Sequence, residues 1–545
     1  VDKEQDKVLN IQALEQDIEE QMQAAHVPGL ALAVVQDLEV IYSRGFGITS
    51  VEDGGLPVTP QTLFRIGSIT KSMTTTAIMR LVEAGKLELD CPVRGYVPWL
   101  SFSQEGAAEQ ITLRRLLSHT AGLPTSHTRF GRRAPSGLEE YVRQDVPQYP
   151  FVAPPGKLYS YSNPGIRIAG YIAEVVSGQP YTQLMQELVF DPLEMKRTTF
   201  DPTVAMTYPL AQSHDLHDDG TLSVQHRYAD DTGGYPSGAV ISTAMDLTHF
   251  AIMQMNHGCF RDRRILSTES VVEMHRIEVD KYTTSSSGYG LALDIDRYKG
   301  MRRAGHEGSI STFGSRLVMV PESGTAVVLM FNRAPGFWTK AEAISDRILD
   351  QVLNLPQEAS QPGTIEPDRS LWPLYTGAYL GDWRGLAIIE MEDGHLTLNW
   401  NGEVLPLRAV REDLYFSRRP GNGDTVSAGF IPEAGEPVQY IQVNSSPCRR
   451  IQLDTAWTSA PETWQAYTGK YTGVEEFAVR VEDDQLFVYS EDVDKEMPCA
   501  PLSNTCFACD VGLLEFHVAA DGTVPSLRLG RVYTLNRTPN SLTRL

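Results

Sequence analysis

Apolar positions along the chain change period several times, and each change marks an element. Ile11, Leu14, Ile18 and Met22 recur at three and four residues, which places them on one face of a helix. Pro28-Gly29 ends that helix. Leu30–Val35 and Glu39–Ser43 read as two strands around the polar turn Gln36-Asp37. A second helix is predicted from Phe64 to Gly85, with Met73, Ala77 and Leu81 on one face, Ile78 and Val82 beside them, and Gly85 as the C-terminal cap. Polar, Pro-rich stretches and short helices fill the chain to about residue 280. Arg316–Val320 and Ala326–Phe331 flank Pro321-Glu322-Ser323-Gly324 as an antiparallel hairpin, and Ala341–Leu353 is helical again. A helix followed by antiparallel strands predicts an α+β domain over residues 1–355.

The texture then changes. Residues 356–370 are polar and Pro-rich, which is linker composition. Beyond them the helical period fades and short alternating strands take over. This part contains a repeat. Tyr375-Thr376-Gly377-Ala378-Tyr379 recurs as Tyr467-Thr468-Gly469-Lys470-Tyr471, Glu392-Asp393 with Leu396 recurs as Glu482-Asp483 with Leu486, and Phe430 with Gly435 is echoed by Phe516 with Gly522. Three matches in one order, on short strands separated by turn residues, predict two related antiparallel β-barrels over 371–455 and 460–545.

Length and charge narrow the functions. A chain of 545 residues accommodates two to four domains. Its 47 basic and 69 acidic residues leave a formal charge of −22, which argues against nucleic acid or an anionic membrane as a partner. There is no apolar run of spanning length, and the acidic, amphipathic stretch Val1–Glu20 is not a signal peptide. Six cysteines are too few for a disulfide scaffold, and Cys506 and Cys509 form a lone C-x-x-C with no second pair, so free thiols are expected rather than a zinc site. The compartment stays open, with the missing leader and unpaired cysteines leaning toward the intracellular side.

The candidate chemistry begins at Ser68 and Lys71, three residues apart on one helix face. A serine hydroxyl needs an adjacent base, and a lysine is one only when burial or nearby positive charge lowers its pKa. Alone, S-x-x-K also describes an ordinary exposed helix turn. Further on come Leu116-Leu117-Ser118-His119-Thr120, then Tyr161-Ser162-Asn163, then His306-Glu307-Gly308-Ser309. In these motifs and their order the chain resembles the serine β-lactamase-like hydrolases, which include class C β-lactamases, penicillin-binding proteins, D-aminopeptidases, and related esterases and acyltransferases. Their S-x-x-K, Y-x-N and K-T-G or H-x-G motifs read here Ser68-Lys71, Tyr161-Asn163 and His306-Gly308. The resemblance continues through Pro192–Met195, Ser242–Asp246 and Tyr289–Leu291, and covers about residues 8–350.

The resemblance implies a metal-free, cofactor-free enzyme. Ser68 would form an acyl-enzyme, Lys71 would take its proton, and Tyr161 would relay a proton to the leaving group, its phenol pKa lowered by the lysine. Asn163 would orient the lysine and the substrate amide, and the backbone N–H groups of Ser68 and Ser309 would hold the oxyanion. Where many β-lactamases carry lysine at the first triplet position, this chain carries His306, mostly neutral near pH 7, as in D-aminopeptidases and some esterases. A D-aminopeptidase of the family also carries two C-terminal barrels, one reaching toward the active site. The expected substrates are therefore small amides or peptides, D-configured ones included. The alternatives are an esterase or acyltransferase using the same residues, and a non-catalytic sensor of the penicillin-binding type. Tyr159 competes with Tyr161, but only Tyr161 has asparagine two residues on. His119 reads as a loop-ordering residue. The second histidine of a zinc-protease helix is absent, since position 310 is Ile310. The barrels would shield the mouth of the site or mediate a homodimer.

Overall fold

The computed structural model describes residues 9–125, 131–356, 363–381, 385–400, 402–419, 424–452, 461–472, 476–490, 495–509, 511–529 and 533–538. Residues 357–362 of the predicted linker and the first eight residues of the amphipathic N-terminus lie outside that set.

Helix α1 (Ile11–Ala24) leads into strands β1 (Gly29–Gln36) and β2 (Glu39–Gly47). After helices α2 (Thr70–Glu83) and α3 (Asn163–Ser177) come β3 (Val279–Asp280), β4 (Gly288–Tyr289), β5 (Asp294–Tyr298), β6 (Met301–Ile310), β7 (Phe313–Val320) and β8 (Thr325–Phe331), and then helix α4 (Trp338–Val352). The strands form one antiparallel sheet in the order β2-β1-β8-β7-β6-β5-β4-β3. Both faces of β1 are buried, and its alternation divides the core. Leu30, Leu32 and Val34 pack against Leu14 and Ile18 of α1 and Ile344 and Ile348 of α4. Ala31, Ala33 and Val35 belong to the larger core with Met73 and Ile78 of α2.

The second helix starts later than its apolar pattern predicts. Phe64–Arg65 is a short strand paired with Ile241–Ser242, Gly67–Ile69 is a 3-10 turn, and α2 begins only at Thr70. Gly67 has φ +50°, which breaks the helical run between the two.

Toward the C-terminus, nine described strands between Gly377 and Ile451 form one antiparallel sheet. It is a nearly closed barrel, with Glu403–Pro406 and Arg408–Arg411 at its two ends. Gly469–Thr472 through Tyr533–Arg537 form a closed eight-stranded barrel. The sequence repeat is a repeat of contacts. Tyr379 Oη donates to the Tyr375 carbonyl at 2.6 Å, and Tyr471 Oη to that of Tyr467 at 2.8 Å. Tyr375 stacks on Phe430 and Tyr467 on Phe516, with ring centroids 4.2 and 4.4 Å apart. Arg450 and Arg537 donate to the carbonyls of Thr376 and Thr468, and pass so close to Gly377 and Gly469 that a Cβ there would lie 2.3 and 2.9 Å from guanidinium nitrogens. Tyr, Gly and Tyr recur because the same arginine clamp is built twice. Cys506 and Cys509 share a strand, where positions three apart face opposite sides, so they do not form a chelating pair.

Candidate active site

Ser68 sits in the 3-10 turn ahead of α2, and Lys71 in the first turn of that helix. Lys71 Nζ lies 2.8 Å from Ser68 Oγ and donates to the Ser237 carbonyl at 2.6 Å. From the other side Tyr161 Oη donates to Ser68 Oγ at 2.8 Å. Lys71 Nζ also lies 4.9 Å from the centre of the Tyr161 ring. The serine oxygen is thus held between a nitrogen and a phenol delivered from segments far apart in the chain.

Lys71 is fully buried. Burial pushes its pKa well below the ordinary lysine value, and the positive charge of Arg167 pushes it further. Arg167 lies on α3, and its Nε donates to Ser237 Oγ at 3.0 Å, so Lys71 and Arg167 are tied to one residue. Sequence reasoning missed Ser237 and Arg167, which carry no local motif.

The expected lowering of the Tyr161 pKa is overturned. Burial pushes this phenol up, against the hydrogen bond to Ser68, which pulls it down. Tyr161 is a protonated donor at neutral pH. Its loop is ordered by His119, as the sequence suggested: His119 Nδ1 accepts the Ser162 N–H at 3.1 Å, and its carbonyl accepts the Ser160 N–H at 2.7 Å. The His119 ring lies 4.4 Å from that of Tyr161.

His306 lines the cavity on β6. Burial pulls its pKa down to about 4, with Asp294 opposing and Lys71 assisting. It is neutral at pH 7. Nδ1 faces the Glu307 carbonyl at 2.5 Å and therefore carries the proton, leaving Nε2 to accept from Tyr289 Oη at 2.9 Å. With both nitrogens engaged and no charge, His306 shapes the wall and offers no cation for a carboxylate.

Two glycines bring the Ser68 and Ser309 backbones together. A Cβ on Gly67 would lie 2.5 Å from the Ser309 nitrogen, and one on Gly308 would lie 1.9 Å from the Ile66 carbonyl oxygen. Ser315 Oγ donates to that carbonyl at 2.7 Å and holds it in place. Asn163, the first residue of α3, lines the same cavity as Ser68, Tyr161, His306, Gly308 and Ser309.

The cavity measures about 660 Å³, and Ser445, Ser446 and Pro447 of the first barrel form part of its wall. The barrel is fastened there by Gln442 Nε2 donating to the Tyr159 carbonyl at 2.8 Å and by the ion pairs Lys157–Glu433 at 2.6 Å and Arg411–Asp280 at 2.7 Å. Among the described residues no cluster of three or more His, Cys, Asp or Glu side chains is placed to hold a metal, and no helix is long and apolar enough to cross a membrane.

The Beta-lactamase family profile matches residues 14–349. The chain belongs to the β-lactamase family. Within this family it is 31% identical to penicillin-binding protein 4 of Amycolatopsis lactamdurans over 315 residues, covering 56% of this chain and 81% of that protein. The crystal structure of SurE superposes with a TM-score of 0.63 at 26% identity, over 81% of this chain and 98% of SurE. The D-amino acid amidase of Ochrobactrum anthropi SV3, solved with L-phenylalanine amide, superposes with a TM-score of 0.52 at 25% identity, over 63% of this chain and 99% of the amidase. The chain is a serine hydrolase of the β-lactamase family.

Proposed function

We propose that this enzyme cleaves small amides and peptides through an acyl-enzyme on Ser68, D-configured substrates included. The domains would be catalytic over 1–355, a linker over 356–370, and barrels over 371–455 and 460–545. The observation that carries the reading is Ser68 Oγ at 2.8 Å from both Lys71 Nζ and Tyr161 Oη. A neutral Lys71 keeps its N–H on the Ser237 carbonyl and turns its lone pair to the serine hydroxyl, so it can take the proton as Ser68 attacks the carbonyl carbon. Tyr161, protonated, gives its proton to the departing amine and recovers one from Lys71, which returns the lysine to its neutral form. Asn163 orients the lysine and the substrate amide. The Ser68 and Ser309 N–H groups receive the oxyanion, each worth roughly 10²–10³ in rate in other acyl-transfer enzymes. The D-amino acid amidase among the structural relatives supports the amide substrate and its configuration.

The test is hydrolysis of D- and L-alanine p-nitroanilide beside p-nitrophenyl acetate, by wild type and Ser68→Ala. Cleavage of the D-anilide that is lost in Ser68→Ala is expected. Cleavage of the ester alone, still through Ser68, would replace the amidase by an esterase or acyltransferase. Equal rates for wild type and Ser68→Ala would remove Ser68 as nucleophile.

Arg167 supplies a second expectation. Removing its charge favours protonated Lys71 and raises the lysine pKa, so the acid limb of the kcat/KM profile in Arg167→Met should move to higher pH. Activity should fall up to about tenfold below neutrality and return at alkaline pH, while Arg167→Lys should keep the wild-type limb. A uniform loss at every pH would make Arg167 a packing residue only.

A further inference from the structure

Arg65 lines the cavity three residues before the serine, on the short strand Phe64–Arg65. Its side chain is 4% exposed, its Nε has no hydrogen-bond partner, and among the described residues no carboxylate oxygen lies within 4.0 Å of its guanidinium. The guanidinium rests on the ring of Tyr228, 4.4 Å from the centroid, and Asp230 acts on it only through space. A buried guanidinium stays charged, and with no anion in contact its desolvation is not offset by a charge-assisted hydrogen bond. The other basic side chains in and beside the cavity are engaged: Lys71 on Ser68 and Ser237, Arg167 on Ser237, and Lys281 on Asp294. His306 carries no charge to share.

We propose that Arg65 is an anion subsite of this cavity and takes a carboxylate of the substrate, so that the enzyme prefers peptides bearing a free acid over their neutral amides. The stacked, planar fork suits bidentate capture of a carboxylate. The reading rests on the same cavity that carries the proposed hydrolysis and names the substrate feature it selects.

The test is calorimetric binding to Ser68→Ala, which holds substrate without consuming it. The probes are D-alanylglycine, D-alanylglycinamide and D-alanylisoglutamine, whose only carboxylate is on its side chain. An acid should bind about 10–100-fold more tightly than the amide, the range of a charge-assisted hydrogen bond. Preference for D-alanylglycine marks a terminal carboxylate, and preference for D-alanylisoglutamine a side-chain one. Adding Arg65→Met should bring the preferred acid down to the affinity of the amide, and Arg65→Lys should keep part of the difference. Equal binding of acids and amide to Ser68→Ala, which needs no change at Arg65, overturns the proposal. So does an acid preference that survives Arg65→Met, or no binding of any probe up to about 10 mM. If wild type fails to cleave peptides that bind with an Arg65-dependent preference, the hydrolase reading falls and the subsite stands.

Discussion

Lys71→Met is expected to lower kcat/KM by about 10²–10⁴ while leaving the melting temperature unchanged or higher, a separation that few substitutions produce. The activity loss follows from removing the proposed acceptor of the serine proton. The stability gain follows from burial: Lys71 is wholly enclosed, and its partners are a hydroxyl and a carbonyl rather than a carboxylate. A lysine whose folded pKa is depressed binds fewer protons folded than unfolded between its folded pKa and its unfolded value of about 10.4, so it costs stability that is recovered as pH rises through that window. The advantage of the methionine variant should therefore shrink toward alkaline pH. Thermal melts across pH, read beside kcat/KM, test both halves. A variant that is inactive and also far less stable at every pH would make Lys71 a structural residue.

Gly308→Ala is expected to lower kcat by about 10²–10³ with a smaller effect on KM, the cost of displacing one proposed oxyanion donor. The new methyl would fall 1.9 Å from the Ile66 carbonyl oxygen and 2.5 Å from Ser315 Oγ, and the carbonyl cannot retreat without breaking its bond from Ser315. Strand β6 must move instead, carrying the Ser309 N–H away from that of Ser68. Kinetics on the D-anilide with melting as a fold control decide it, and a kcat within about threefold of wild type would mean that this strand does not set the oxyanion site.

What the sequence revealed of the fold and site follows the range of each interaction. The spacing of Ser68 and Lys71, the Tyr161-Ser162-Asn163 triplet and the His306-Glu307-Gly308 triplet are local patterns, and the structure brings Ser68, Tyr161, Asn163, His306 and Gly308 to one cavity with Lys71 bonded to Ser68. The barrel repeat was legible because each Tyr-Thr-Gly-x-Tyr stretch carries its own half of the same arginine clamp. Ser237 was not, since it meets Lys71 across 166 residues through a backbone carbonyl that any residue type provides. The start of α2 was misplaced because Phe64 and Arg65 fit a helical period as well as a strand, and only pairing with Ile241–Ser242 decides between them. The direction of the Tyr161 shift was misread for a related reason. A sequence shows neither the burial that pushes this phenol up nor the Ser68 hydrogen bond that burial outweighs.

The wall formed by Ser445, Ser446 and Pro447 has a consequence for the order of events in the cell. Translation delivers Ser68, Lys71 and Tyr161 long before Gln442 and Glu433, which fasten the barrel to the Tyr159 carbonyl and to Lys157. Domains fold as units as they leave the ribosome, earlier ones first. While the barrel is unmade, the nascent chain has the proposed catalytic residues but an open cavity, and the segment ahead of Tyr161 lacks the Gln442 and Glu433 contacts. The cavity wall is then complete only after roughly the last fifth of the chain has begun to emerge, and a ribosome stalled before that point would carry the catalytic-domain fold with this cavity open on the barrel side.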